Sequence, residues 1–132
     1  MQVLIISYDR KHNELNGENN RDGEDFNFSW NCGEEGSTRK RKIKELRMRQ
    51  IKNALAFVFL SAGTPLILAG DEFGNSQNGN NNPYCVDSEL SWVNWKETKE
   101  GKEILEWTKA LIQFRQNNKI LHMPQSLTLS DR

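Results

Sequence analysis

Residues 54–69 read ALAFVFLSAGTPLILA, the longest apolar stretch in the chain. It is broken at Ala62-Gly63 and Thr64-Pro65. Gly and Pro disturb helix and sheet hydrogen bonding alike, so the stretch splits into two elements. The first half ends a helical pattern in which Ile43, Leu46, Gln50, Ile51, Ala54, Leu55, Val58 and Phe59 recur. Ser37 or Thr38 is the expected cap. The last two turns are apolar nearly all round, which predicts deep burial. The second half, Pro65 to Ala69, suits a strand buried on both faces, as in a parallel sheet covered by helices. Helix, short turn and buried strand together make an α/β unit. In such folds function gathers at the carboxyl ends of the strands, where Asp71 and Glu72 fall.

The segments on either side are polar. Asp9 to Gly36 is dense in Asn, Asp, Glu and Gly, with turn pairs Asn16-Gly17 and Asp22-Gly23, and reads as one long loop. Loops of that length carry function or lack fixed structure. Phe26, Phe28 and Trp30 are expected to anchor it to the body, the alternative being a ligand-facing edge. A second Asn-rich loop carries Tyr84, Trp92 and Trp95. Amides pair with hydroxyls and flat rings stack on sugar faces, so this composition suggests carbohydrate. A last helix is expected from about Lys99 to Asn117, capped by Thr98, with Ile104, Trp107, Thr108, Leu111, Ile112 and Arg115 inward. Val3 to Ile6 is a short strand or a first helical turn, and the tail from Ile120 begins a strand or frays.

Charge and cysteine usage exclude several classes. Among 132 residues, 18 basic and 18 acidic side chains cancel. That argues against general nucleic-acid or membrane affinity. The basic run RKRKIKELRMR opposes the helix macrodipole. It reads as a solvated face offset by Glu34, Glu35 or Glu45, with an acidic partner as the alternative. No run of about 18 apolar residues exists to span a membrane, and Met1 to Ile6 does not resemble a signal peptide. Cys32, Cys85, His12 and His122 lie in no metal-ligand spacing, so no metal and no cofactor are expected. A cytoplasmic location is expected. Only 36% of residues are hydrophobic and the mean hydropathy is −0.79. That is low for a self-sufficient domain and implies much loop or a larger parent.

Three stretches carry a specific resemblance: SYDRKHNELNGENNRDG, LRMRQIKNALAFVFLSAGTPLILAGDEFG and GNNNPYC.D.ELSWVNW, with dots at residues 86 and 88. Together, over about Ser7 to Leu121, the chain resembles the bacterial glycogen debranching enzyme and isoamylase group of the alpha-amylase superfamily. The resemblance implies an α/β fold, a (β/α)8 barrel followed by a β-sandwich domain. Residues 1–118 would be the last part of the barrel and 119–132 the start of the sandwich or a tail. Arg39 to Ala62 would be the seventh helix, Pro65 to Ala69 the eighth strand and Lys99 to Asn117 the eighth helix. As an isolated piece, the chain is expected to be mostly helical with one or two short strands. Val86 and Ser88 depart from the Gln and Asn common there.

The resemblance also implies retaining hydrolysis of α-1,6-glucosidic branch points in glycogen by an Asp nucleophile, a Glu acid/base and a second Asp. It places all three before this segment, so no catalytic residue is expected here and the chain alone should be inactive. Asp71 and Glu72 do not substitute for them. Retaining chemistry needs carboxyls about 5 Å apart, and neighbours on an extended segment point to opposite faces. A structural role for one and a substrate-binding role for the other is the reading. Asp87 is the stronger sugar contact, by resemblance to enzymes with an Asp after strand eight, and Tyr84 and Trp92 are weaker ones. A barrel needs about 250 residues. Three hypotheses result: an inactive barrel portion, a glucan-binding remnant, and an interaction module using the basic helix end. The unpaired apolar strand predicts self-association.

Overall fold

Leu55 and Phe59 from one helix meet Ile104 and Leu111 from another, and these four side chains are the buried apolar core. The computed structural model describes residues 6–123. Helix α1 runs Arg41–Leu60 and helix α2 runs Lys99–Asn117, and the two pack side by side. Met48, Ile51, Ala56, Ile67 and Trp107 close the edges of the core. Each fully buried side chain of this kind contributes about 1.5–3 kcal/mol.

The bounds and cap of α2 match the sequence expectation. Thr98 Oγ1 accepts from the Gly101 amide at 2.9 Å and satisfies one of the free donors of the first turn. Gly101 is needed for a second reason. A Cβ there would lie 3.0 Å from the Phe73 carbonyl, so the preceding turn packs directly on the helix backbone. Ile104, Thr108, Leu111 and Arg115 face inward as expected, whereas Ile112 is exposed.

Helix α1 differs from expectation at both ends. Lys40, not Ser37 or Thr38, occupies its N-cap and makes no side-chain cap. Thr38 acts one step earlier, where its Oγ1 accepts from the Lys40 amide at 3.1 Å. The basic face is offset by acids from three places. Lys40 pairs with Glu34 at 3.3 Å, Arg41 with Glu45 at 2.7 Å, and Lys52 with Glu103 of α2 at 2.7 Å. The apolar C-terminal end is buried on one face only, since Phe57 remains 77% exposed.

The strand expected at Pro65 to Ala69 is absent, and no strand occurs among the described residues. Leu66 is 83% exposed and only Ile67 reaches the core. A strand exists through ladder bonds to a neighbour, and no neighbouring strand is present among the described residues. The described part is therefore helical, with short 3-10 turns at Glu14–Asn16, Asp71–Phe73, Pro83–Cys85 and Lys119–His122. The apolar run at Val3 to Ile6 and the tail after Met123 lie wholly or largely outside the described residues.

Candidate functional site

Two polar loops, about 60 positions apart in sequence, are fastened together by asparagine amides. Asn13, fully buried, donates from Nδ2 to Asn81 Oδ1 at 2.8 Å and accepts at Oδ1 from the Asn81 backbone at 3.0 Å. Asn80, equally buried, donates to Asn16 Oδ1 at 2.6 Å. Asn16 in turn donates to the Asn82 carbonyl at 2.8 Å. Asn16 and Asn82 both donate to Asp22 Oδ2, at 2.6 and 2.9 Å, and these bonds hold the Asp22 carboxyl below the ordinary range. The His12 amide reaches the Gly79 carbonyl at 2.9 Å. Gly79 has a φ of +84°, and a Cβ there would lie 2.6 Å from the His12 ring. Only glycine allows this approach.

The long loop has its own hub at Glu35. Oε2 accepts from the Asp9 amide at 2.8 Å and the Asn31 side chain at 3.1 Å. Oε1 accepts from the Arg10 amide at 3.1 Å and lies 3.0 Å from His12 Nε2. Burial pushes this carboxyl up, but the Asp9, His12, Asn31 and Arg10 donors outweigh it and bring its pKa to about 2. Arg47, buried on α1, donates to the Gly36 carbonyl at 2.5 Å and the Asn31 carbonyl at 2.9 Å. The loop is thus ordered by hydrogen bonds rather than by its aromatics. Phe26, Phe28 and Trp30 are all exposed, so the anchoring expected of them does not occur. Phe26 and Phe28 instead stack edge to face at 5.0 Å.

Asp71 and Glu72 sit on the 3-10 turn Asp71–Phe73, not on an extended segment as expected. Asp71 is buried and its Oδ2 accepts from the Leu68 amide at 3.1 Å. Glu72 Oε2 accepts from the Gly70 amide at 2.8 Å. Both carboxylates therefore close the bend that contains them. Glu72 also borders a pocket of about 280 Å³ beside Phe73 and Trp95.

Asp87 and Trp92 come together. Trp92 Nε1 donates to Asp87 Oδ1 at 2.9 Å, in an exposed setting. The bend behind them is closed by Ser91, whose Oγ donates to the Val86 carbonyl at 2.5 Å. Tyr84, on the turn Pro83–Cys85, is 87% exposed, and its ring stands in solvent. An indole edge fixed by a carboxylate and left open to solvent presents a flat apolar face with a polar acceptor beside it.

Ser88, next to Asp87 in sequence, helps line an open cleft of about 680 Å³. Leu15 from the long loop, Phe73 to Asn75, and Glu89, Asn94 and Lys96 are among its lining residues. Sequence reasoning named none of these residues. Asparagine density marked the loops as polar, but nothing in the pattern separated amides spent on the fold from those lining the cleft.

No protein-family model matches the chain. Curated proteins do. The glycogen operon protein GlgX homolog of Mycobacterium bovis is 50% identical over 116 residues, which is 88% of this chain. The chain is homologous to part of the glycogen debranching enzyme and isoamylase group. The glycogen debranching enzyme of Erwinia tasmaniensis is 48% identical over 84% of the chain. Isoamylase 1, chloroplastic, of Oryza sativa is 40% identical over the same share. The matched part makes up 16%, 17% and 14% of these three relatives. The matches cover 84–88% of the chain at 40–50% identity, so the resemblance read from the motifs stands.

Proposed function

We propose that the chain is the closing part of a glycogen-debranching (β/α)8 barrel and works there by holding glucan. Hydrolysis of α-1,6 branch linkages would be carried by acids outside its own loops. The observation that supports this is the exposed Asp87–Trp92 pair, with its ring edge fixed at 2.9 Å from a carboxylate. Asp71 and Glu72, by contrast, are each hydrogen-bonded to the turn they stand on. Residues 1–118 would belong to the barrel and 119–132 to the start of a β-sandwich domain or a tail.

Native gels cast with glycogen test the reading. The chain should be retarded, and Asp87→Ala or Trp92→Ala should weaken retardation about tenfold, the effect of losing one central contact. Incubation with limit dextrin should release no reducing ends. Hydrolysis that disappears in Asp71→Asn would overturn it. The interaction-module reading has less support, because Lys40, Arg41, Lys44 and Lys52 each have an acidic neighbour in the chain. Self-association remains part of the proposal and rests on the exposed apolar residues rather than on charge.

A further inference from the structure

Two Asn-Gly pairs stand in the polar loops, Asn16-Gly17 and Asn78-Gly79. Glycine has no side chain to shield its amide nitrogen. In an unfolded chain that nitrogen attacks the preceding asparagine side chain, which is one reason asparagine is thermolabile. The fold treats the two pairs differently. Asn16 is engaged at both polar atoms of its side chain. Nδ2 donates to Asp22 Oδ2 at 2.6 Å and to the Asn82 carbonyl at 2.8 Å, and Oδ1 accepts from Asn80 at 2.6 Å. The Gly17 amide is occupied as well, donating to the Glu14 carbonyl at 3.4 Å. Asn78 is exposed, and among the described residues neither its side chain nor the Gly79 amide takes part in a hydrogen bond. The pair forms a reversal, with φ of +50° at Asn78 and +84° at Gly79, closed by the Asn80 amide on the Gln77 carbonyl at 2.9 Å.

We propose that Asn78-Gly79 is a self-modification site, and that its conversion to isoaspartate unfastens the two polar loops. When the reversal opens locally, as exposed turns do, the Gly79 nitrogen attacks Cγ of Asn78. A new C–N bond forms, the Gly79 amide proton passes to water, and the bond from Cγ to Nδ2 breaks with release of ammonia. The product is a cyclic imide. Water then adds to either imide carbonyl. Opening at Cγ leaves aspartate at position 78 with an ordinary backbone. Opening at the former main-chain carbonyl leaves isoaspartate, whose backbone runs through Cβ and is one carbon longer. No oxidant or reductant is required. The extra carbon arrives where the chain has no slack. The Gly79 carbonyl accepts from the His12 amide at 2.9 Å, and a Cβ on Gly79 would lie 2.6 Å from the His12 ring and 2.7 Å from the Tyr8 ring. Asn80, next in the chain, is fully buried and bonded to Asn16. Lengthening the backbone before Gly79 moves both contacts that join the loops.

The test is ageing of the full chain at mildly alkaline pH, followed by peptide mapping, enzymatic isoaspartate detection and hydrogen exchange. The peptide holding Asn78 should gain the mass of OH in place of NH2 and score for isoaspartate. It should convert at least about tenfold faster than the peptide holding Asn16, because freeing Asn16 first breaks its bonds to Asp22, Asn82 and Asn80. In urea the two rates should become equal. The aged chain should lose protection at the His12 amide while α1 and α2 keep theirs. Asn78→Gly suits the positive φ and removes the reacting group, so it should keep His12 protected through the same incubation. Freshly prepared Asn78→Asp carries the new charge without the extra carbon and should also keep it. Equal rates at Asn16 and Asn78 in the folded chain, or no conversion at Asn78, would overturn the site. Conversion with His12 protection unchanged would overturn the unfastening. Loss of that protection in fresh Asn78→Asp would assign the effect to charge and overturn the backbone route.

Discussion

Asn13 and Asn81 stand 68 positions apart and bond each other twice, and the Asn13 side chain is fully buried. Replacing Asn13 by Ala leaves the Asn81 backbone donor without its acceptor in a partly buried setting, and the Asp22 carbonyl loses a donor as well. An orphaned buried polar group costs about 1–3 kcal/mol. Asn13→Ala should therefore lower the urea midpoint by an equivalent amount, whereas Tyr84→Ala, at a solvent-exposed ring, should stay within about 0.5 kcal/mol. Glu35 makes a second prediction at this scale. Its pKa falls from the ordinary 4.5 to about 2 in the folded chain, so its contribution is present above the higher value. Stability from this group is lost as pH drops from 4.5 toward about 2, because the unfolded chain takes up the proton first. Glu35→Gln should flatten that limb of a stability–pH profile, and an unchanged limb would count against the hub. Asn13 was not legible as structural, and Glu35 was read only as one possible offset to the basic run. An Asn in a polar run offers the same pattern whether it meets another Asn or water, and only the fold decides which.

The two helices were the most legible elements, since each carries a long periodic face and α2 has its cap written at Thr98. Arg115 and Arg47 were harder. Arg115 was placed on the inner face, but its task is to close the end of α1, with Nη1 donating to the Phe59 carbonyl at 2.7 Å and the Ser61 carbonyl at 2.8 Å. A cation at a helix C-terminus also favours the macrodipole. No spacing rule announces such a bond, because the partner carbonyls lie 56 and 54 positions away. Arg115→Met keeps much of the stem packing and removes the donors. It should destabilise the chain by about 2 kcal/mol and selectively deprotect the last turn of α1 in hydrogen exchange. Uniform loss of protection without a local effect would argue that Arg115 acts only by packing. The strand at Pro65 to Ala69 was misread for the opposite reason. Its apolar composition is real, but strand geometry depends on a neighbour, and the stretch alone cannot supply one.

At the scale of the whole molecule, the apolar residues that the pattern assigned to burial exceed what two helices can cover. Phe57, Leu60, Leu66 and Leu68 succeed one another from the end of α1 into the segment after it, and all are exposed. The matched relatives are several times longer than the chain, which spans 14–17% of their length. In the proposed barrel these residues would meet neighbouring strands and helices. Alone in water they form the kind of exposed apolar surface that drives association. The apolar segment 65–69 has no strand partner among the described residues, so another copy can supply one. Sedimentation velocity over a concentration series into the tens of micromolar should therefore show self-association. Leu66→Lys with Leu68→Lys places charge on the exposed segment without touching the core at Leu55, Phe59, Ile104 and Leu111. That variant should keep its helical signal and shift toward the monomer, and added salt should do little to the parent's association because burial rather than charge drives it. A parent chain that sediments as a single monomer across the series would remove the apolar segment from this role.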